Sequence, residues 1–335
     1  MYKDDFSALA AKLGYEEDVL RHIAAKSYDY YEPFHLIITK NGKTKTRHID
    51  NPGKKSALGQ LQKKINKQLL LPEVSRLPSE MVGSIKGRNL FNHLLPHVNR
   101  PTVVCMDLSN CFPHISNRRL YNIWRRELGF SEELATLLNR TTTFRGYLPQ
   151  GPATSPLLCN FALTGMASEI AALCAANGLV YTQYVDDICI SGDDNVARAV
   201  ISEVYKIARS YGQYINPRKT DIWDRKHQQR SARVVLNKSP KLLKSYSNDV
   251  IREIRSFEDV GNVTAGEKLH ITGEILYIQK FSKQEAQTIK IMFNEALSNA
   301  VEIEGKRTKP GSVKRCYHHE KNRYNNKPCK YLLPQ

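Results

Sequence analysis

The most constraining feature of the sequence is the stretch Leu179–Ser191, in which two short apolar segments flank the adjacent carboxylates Asp186 and Asp187. The β-branched and aromatic residues on both sides predict two strands of a mostly buried hairpin, with the aspartates at its bend. Two neighbouring carboxylates are costly there unless a positive charge lies nearby, and a divalent cation with hard oxygen ligands is the natural candidate. A surface turn, in which aspartate is common, is the alternative interpretation.

A third carboxylate ends an earlier strand-like segment. Pro101–Asp107 has a buried-strand pattern, and a helix is expected soon after it, over Asn117–Leu128. Taken alone, Asp107 could be an ordinary strand end or helix cap. Together with Asp186 and Asp187, it supplies the third carboxylate that a two-metal phosphoryl-transfer site requires.

The net charge of +17 is concentrated in two regions. Residues 36–100 contain 13 Lys and Arg against 3 Asp and Glu, and residues 305–335 contain 9 against 1. Two basic regions in an otherwise nearly neutral chain predict a polyanion-binding channel with separate walls. The 7 cysteines lack regular spacing, which is typical of reduced thiols in a cytoplasm. The acidic start of the chain does not resemble a signal peptide, and no apolar run reaches the length of a membrane span, so we expect no membrane segment.

Four motifs follow one another along the chain. They are Arg47-His-Ile-x-x-Pro52, Asp107 before Phe112, Leu148-Pro-Gln-Gly-x-x-x-Ser-Pro156, and Tyr184-Val-Asp-Asp187. In this order and spacing, over roughly residues 35–240, they resemble the motifs of reverse transcriptases. The resemblance implies an α+β right-hand polymerase with fingers, palm and an α-helical thumb. The expected parts are an N-terminal helical segment (1–34), fingers (35–100), palm (101–240, with part of the fingers around 140–160), thumb (241–304) and a basic C-terminal tail (305–335).

Among reverse transcriptases, the compact chain most resembles those of retrons and related bacterial antiphage-defence systems. It differs from the retron pattern in two places: His93-Leu-Leu-Pro-His97 keeps only the last histidine of Asn-Ala-x-x-His, and Ser231-Ala-Arg233 replaces Val-Thr-Gly. The resemblance implies RNA-directed DNA synthesis in a bacterial cytoplasm, on a structured noncoding RNA template. The implied ligands are dNTPs and an RNA–DNA duplex, and an effector protein is a further partner that this family allows.

The resemblance also implies roles for individual residues. Asp107, Asp186 and Asp187, with Leu108 beside them, would hold two Mg²⁺ ions, for which Mn²⁺ is a substitute. The residues expected to contact the nucleotide are Lys45, Arg47 and Lys219 at the triphosphate, Gln150 at the sugar, and Phe112 where a ring would exclude a 2′-hydroxyl. The residues expected to contact nucleic acid are Lys54, Lys55, Lys86, Arg88, Lys306, Arg307, Lys314 and Arg315.

Each of these interpretations has a simpler alternative. Arg47 could be an ordinary surface arginine on a hairpin, and Phe112 read without its context would be a core residue. In the tail, the spacing of potential zinc ligands fits no ordinary zinc finger, so we expect free side chains at Cys316, His318, His319 and Cys329.

Three other functions stay open at this stage. An RNA-dependent RNA polymerase shares the palm chemistry, although Phe112 and the Leu148–Gly151 run argue against it. A polymerase that works without a template, or that primes from its own side chain, has no distinguishing signal in the sequence. A non-catalytic RNA-binding subunit is disfavoured because a pure binder gains nothing from clustered acids that face RNA phosphates.

Overall fold

The structure is a computed structural model that describes residues 2–40, 43–53, 55–303 and 314–317. The α-helices in these ranges are α1 (Phe6–Leu13), α2 (Glu17–Ala25), α3 (Ala57–Ile65), α4 (Leu90–Leu94), α5 (Asn117–Asn122), α6 (Glu132–Thr142), α7 (Ser155–Ala176), α8 (Asp194–Ala199), α9 (Ile201–Ser210), α10 (Lys244–Val260), α11 (Ala265–Gln279) and α12 (Lys283–Ser298). The strands are β1 (Tyr31–Lys40), β2 (Lys43–Pro52), β3 (Thr102–Asp107), β4 (Val180–Tyr184), β5 (Asp187–Gly192), β6 (Asp221–Asp224), β7 (Arg230–Ser231), β8 (Val234–Val235), β9 (Lys241–Leu242), β10 (Asn262–Thr264), β11 (Val301–Ile303) and β12 (Lys314–Tyr317).

The N-terminal segment is helical as far as Tyr30. Helix α1 begins after Asp5, whose side chain accepts a hydrogen bond from the Ala8 N–H, and ends at Gly14, which adopts the left-handed conformation. Strand β1 then starts at Tyr31, four residues before the boundary predicted from the sequence. Pro33 therefore lies near the start of a strand, a position that tolerates proline because its missing N–H is not needed there.

The fingers are built on the β1–β2 hairpin, which pairs in register from Tyr31 opposite Pro52 to Lys40 opposite Lys43. Asn41-Gly42 between two strand-like segments is the sequence signal for such a hairpin, and these two residues lie outside the described ones. Strand β12 pairs antiparallel with the other edge of β1. Residues 314–317 of the basic tail thus extend the fingers sheet.

The palm contains a four-stranded antiparallel sheet in the order β4-β5-β3-β6. Helix α7 lies against β4, and the largest hydrophobic core joins this side of the sheet to the N-terminal helices and α3. Helix α7 is long and apolar enough to cross a membrane by length and composition alone. Its apolar window is 61% buried inside the protein, as in the core helix of a globular fold.

The predicted thumb helices are present as α10, α11 and α12, which share a core of their own around Ile254, Phe257 and Phe293. The third helix ends at Ser298, and the chain then forms β11, which pairs in parallel with β10. A small core joins thumb to palm, and in it Phe281 stacks on Phe91 with ring centroids 4.9 Å apart. The described residues thus confirm the expected α+β architecture.

Candidate active site

The palm sheet brings the three predicted aspartates to one end. Asp107 is the last residue of β3 and lies directly opposite Asp187, the first residue of β5. Asp186 belongs to the preceding turn, and its carbonyl accepts a 2.9 Å hydrogen bond from the Leu108 N–H. Strand pairing therefore unites carboxylates that are about eighty residues apart in the sequence.

The β4–β5 turn, Val185–Asp186, has an uncommon backbone conformation. Val185 has φ = +59°, which a β-branched residue rarely adopts. The side-chain amide of Gln183 donates to the Val185 carbonyl at 2.7 Å. A Cβ added to Gly83 would lie 2.6 Å from the Val185 nitrogen, so only glycine allows this close approach. The turn is therefore held by Gln183 within the palm and by Gly83, which lies in the range predicted for the fingers.

A buried network of polar side chains stabilises the β4–β5 hairpin. His97 lies between Ser191 and Thr182, with nitrogen–oxygen distances of 2.7 and 2.8 Å. Thr182 is also 2.8 Å from Nδ1 of His93. Burial lowers the pKa of His93 to about 4 and that of His97 to about 3, so both imidazoles are neutral near pH 7. His97 is the one histidine of the retron pattern that this chain keeps, and its side chain joins β4 to β5.

The carboxylates lie in a mixed electrostatic field. Burial, with the negative charge of Asp107 as a further cause, raises the pKa of Asp186, while Lys219 and Arg47 oppose the rise. The ammonium of Lys219 contacts both carboxylate oxygens of Asp107, and its distance to Oδ2 is 2.8 Å. Asn216 explains this placement, because its N–H donates to the Asp107 carbonyl and ties the Lys219 segment to the end of β3.

The three aspartates offer oxygen ligands to divalent cations. Hard carboxylate oxygens are the ligands that Mg²⁺ prefers, and the Lys219 ammonium already occupies a cation position at Asp107. Among the residues that the structure describes, no three His, Cys, Asp or Glu side chains are grouped as a metal centre in their present positions. Asp107, Asp186 and Asp187 therefore fit such ions by chemistry, and Lys219 must leave Asp107 for them to bind there.

A cavity of about 560 Å³ lies in front of the carboxylates. Its walls contain residues from all four sequence motifs, together with Lys219; the motif residues are Arg47, Asp107, Leu108, Phe112, Gln150, Asp186 and Asp187. Phe112 is half-buried, lines the cavity and also packs against the main core, so both interpretations of this residue describe part of its environment. Tertiary structure thus assembles one polar, partly cationic pocket from distant segments.

Sequence reasoning missed two residues in this cavity, His48 and Asp50. Asp50 is only 2% exposed, accepts a hydrogen bond from the Tyr147 hydroxyl at 3.1 Å, and lies 2.8 Å from Nε2 of His48. Its backbone N–H donates to the Gln150 carbonyl at 2.9 Å, which fastens the fingers hairpin to the loop before α7. Burial and the Asp50 charge raise the pKa of Tyr147 to about 12. The available signal was that Asp50 is one of the 3 acids in a strongly basic stretch.

The predicted nucleic-acid contacts do not form one group. Lys55 and Lys86 are exposed, whereas the half-buried Arg88 donates to the Pro78 and Met81 carbonyls at 2.7 and 2.5 Å and so has a structural role. Six residues named in the sequence analysis lie outside the described ones: Lys54, Lys306, Arg307, His318, His319 and Cys329. Three predicted residues lie on strands without a described side chain: Lys45 opposite Ile38, Lys314 opposite Ile37, and Arg315 opposite Leu36.

Comparison with known proteins gives a family match. Residues 38–265 match the family described as reverse transcriptase (RNA-dependent DNA polymerase). The retron Se72 reverse transcriptase of Salmonella heidelberg is 30% identical over 219 residues, 64% of this chain and 56% of that protein. The retron Ec86 reverse transcriptase of Escherichia coli is 25% identical over 170 residues, 50% of this chain and 52% of that protein. The matches thus span little more than half the length of these relatives.

Solved structures include a telomerase from Candida tropicalis, in complex with a fragment of telomeric RNA. It superposes with a TM-score of 0.49 at 12% identity, covering 86% of this chain and 60% of that one. A likeness at this level supports no functional inference.

Proposed function

The chain belongs to the reverse transcriptase family, and from this premise we propose that it copies a structured noncoding RNA into DNA by Mg²⁺-dependent nucleotidyl transfer. The observation that carries the proposal is the cavity of about 560 Å³, because residues from four separate motifs line it. An incoming dNTP carries a polyanion, a sugar and a reactive phosphorus. The cavity has a matching group for each part: cationic side chains for the triphosphate, an aromatic wall for the sugar, and carboxylates that would hold Mg²⁺ at the reacting phosphorus.

The carboxylates of Asp107, Asp186 and Asp187 would hold Mg²⁺, for which Mn²⁺ is a substitute. Bound there, the ions supply Lewis-acid activation of the primer 3′-hydroxyl and charge neutralisation at the leaving pyrophosphate. Before they bind, Lys219 neutralises Asp107. When the nucleotide enters, we propose that this ammonium moves to the triphosphate, where Arg47 provides a second cation.

The other cavity residues select and orient the nucleotide. Phe112 stands in the wall, where its ring would leave no space for a ribose 2′-hydroxyl. Gln150 would lie along the sugar, in a loop that its carbonyl fixes to Asp50 of the fingers hairpin. The position of the fingers hairpin and the position of the loop that would hold the sugar are therefore coupled through one backbone hydrogen bond.

Primer extension on an RNA template tests the catalytic assignment. Asp107→Asn and Asp187→Asn should each lower the extension rate by at least about a thousandfold, since several kcal/mol of charge stabilisation depend on these carboxylates. Asp259→Asn, at an exposed aspartate of α10, is the matched control and should extend normally. If the unaltered protein binds RNA but never extends a primer, the chain is a non-catalytic subunit. Synthesis without any added template would instead favour a template-independent polymerase.

The aromatic wall gives a separate test. Phe112→Ala should relax discrimination against ribonucleotides more than it impairs use of deoxynucleotides, so the ratio of the two kcat/KM values should fall. Equal losses with both substrates would mean that Phe112 serves only the core. If the unaltered protein prefers ribonucleotides, it is an RNA-dependent RNA polymerase.

We further propose a bacterial cytoplasmic setting in antiphage defence, with an effector protein as partner and the basic tail as the element that binds the cognate RNA. The tail's 9 Lys and Arg against 1 acid support this role. Truncation after Tyr317 keeps β12 on the fingers sheet, whereas truncation after residue 304 removes it. Both should weaken cognate RNA binding and flatten its salt dependence, because fewer counterions are released. Only the longer deletion should also impair extension of a generic primer–template.

A further inference from the structure

The β7–β8 turn, Ala232–Arg233, is strained. Ser231 pairs with Val234, which leaves a two-residue hairpin turn. Ala232 has φ = +46° and Arg233 has φ = +66°, although neither residue is glycine. Such turns favour Asn-Gly because L side chains resist positive φ. A conformation of this kind persists only where surrounding contacts determine it.

Those contacts come from the thumb. The Arg233 guanidinium donates to Oδ2 of Asp249 at 2.7 Å and lies 4.7 Å from the centre of the Tyr246 ring. The Arg233 carbonyl accepts a 3.0 Å hydrogen bond from the Leu243 N–H, at the start of α10. We call the side chains of Arg233, Asp249 and Tyr246 the Arg233 latch. It joins the β7–β8 turn to the first two turns of α10.

The turn also borders the active site. Ala232 and Arg233 line a second cavity, of about 450 Å³, together with Asp107, Asp187 and Lys219. These last three residues line the nucleotide cavity as well. The β7–β8 turn therefore faces the carboxylates from the side opposite the fingers. Under the proposed function, the nucleotide would fill the first cavity, and the primer end would lie in this second one.

We propose that Arg233 is a positioning residue that couples the thumb to the primer-side cavity. While the latch is closed, the position of α10 and the strained conformation of the turn stabilise each other. When the latch is open, the turn relaxes and the thumb loses its link to the cavity wall. The latch thus determines how well a primer–template is held, while the chemistry at the carboxylates is unaffected. This inference rests on the proposed function.

The rest of the thumb–palm interface makes the proposal testable without unfolding the protein. Tyr277 lies 5.5 Å from Tyr246 and 5.3 Å from Phe281 between ring centroids, and Phe281 stacks on Phe91. The stack of Phe281, two residues after α11, on Phe91 of α4 contains no latch residue, so it anchors the thumb independently of Arg233. Variants of the latch should therefore stay folded, with the thumb attached but less well oriented.

The experiment uses Arg233→Gly, Asp249→Asn and the double variant. Each single change should raise the Kd of a fluorescent RNA–DNA primer–template about fivefold to tenfold, with a similar rise in its KM and little change in kcat at saturation. The double variant should be no worse than the singles, because they remove one interaction. The matched control is Arg252→Ala. Arg252 contacts the same Asp249 carboxylate at 3.3 Å from within α10, and because its own side chain is 66% exposed the contact should matter little.

The Asp249→Asn variant separates positioning from direct contact. If Arg233 instead binds a primer phosphate, releasing it from Asp249 should leave binding unchanged or tighten it, and the proposal is then wrong. Fully additive effects in the double variant would also overturn it. Two of these measurements do not require DNA synthesis: the Kd of the primer–template duplex, and the free energies of unfolding in urea of the single and double variants. A protein that fails to extend primers therefore refutes the proposed function, while the latch is still judged by these two measurements.

Discussion

Two turns border the carboxylates at the end of the palm sheet, and both place residues other than glycine at positive φ. The β4–β5 turn has Val185 at +59°, and the β7–β8 turn has Ala232 and Arg233 at +46° and +66°. They differ in what holds them. The first is fixed by the close approach of Gly83, which lies in the range predicted for the fingers, and by a hydrogen bond from Gln183 of β4. The second is fixed from outside the palm, by the Arg233 latch to α10.

The difference suggests a division of labour. Carboxylate geometry depends on contacts that do not involve the thumb, so it should survive thumb movement. The primer-side wall depends on one arginine that reaches a different subdomain, so it should follow the thumb. A polymerase that must hold its chemistry constant while a duplex moves through it gains from this separation. Changes at the first turn should therefore affect kcat, and changes at the second should affect binding.

The largest effect is expected for Gly83→Ala. The new Cβ would lie 2.6 Å from the Val185 nitrogen and 2.9 Å from the Tyr184 carbonyl carbon, both of them backbone atoms that cannot turn aside. The β4–β5 turn must then shift, and a displacement near 1 Å costs on the order of a hundredfold in rate. Single-nucleotide extension should show the loss in kcat. The matched control is Gly273→Ala in α11, where an added Cβ meets nothing within 4 Å. A normal kcat for Gly83→Ala would mean that the turn is not held from this side.

The next effect concerns pH and the histidines beneath the β4–β5 turn. The pKa of His93, about 4, and that of His97, about 3, lie below the unfolded value, so the unfolded chain binds more protons between these values and pH 6.5. Their contribution to stability is therefore present above pH 6.5 and is lost as the pH falls. Between pH 7 and pH 5, the free energy of unfolding should fall by about 2 kcal/mol for each histidine.

Urea unfolding at the two pH values measures this loss. His93→Gln with His97→Gln should flatten the pH dependence, although the protein becomes less stable at pH 7 through the lost hydrogen bonds. Asp249→Asn should leave the slope between pH 5 and pH 7 unchanged, since the latch contains no histidine. An equally steep slope in the double histidine variant would place the titrating groups elsewhere.

The smallest effect is expected for Ala232→Gly. Glycine adopts positive φ without steric cost, which should raise the free energy of unfolding by up to about 1 kcal/mol after the greater freedom of the unfolded chain is deducted. The latch stays intact, so the Kd of the primer–template should not rise. Thermal or urea unfolding measures the gain. A loss of stability would show that the Ala232 methyl makes contacts worth more than the strain.

Much of the site was predictable because motifs and periodicity are local. One strand pattern ends in Asp107 and two others flank Asp186, so the sequence placed the carboxylates at strand ends. Antiparallel pairing of neighbouring strands then brings these ends together. The helical periodicity after Pro240 likewise predicted the thumb helices. Even the latch left a sequence signal, since Ser231-Ala-Arg233 departs from the retron pattern, but the sequence did not say what the arginine does.

Only the tertiary structure showed which polar side chains form hydrogen bonds inside the protein and which remain available to a ligand. In the sequence, Asp50 is one of few acids in a basic stretch, and the structure buries it against Tyr147. Arg88 was predicted to contact nucleic acid, and in the structure it donates hydrogen bonds to two backbone carbonyls. Arg233 and Asp249 are sixteen residues apart, and β1 meets β12 across most of the chain. Local pattern fixes the conformation of a segment and the face it buries. The partner that a charged side chain finds depends on how distant segments pack, because its energy is determined by burial and by neighbours that the segment itself does not contain.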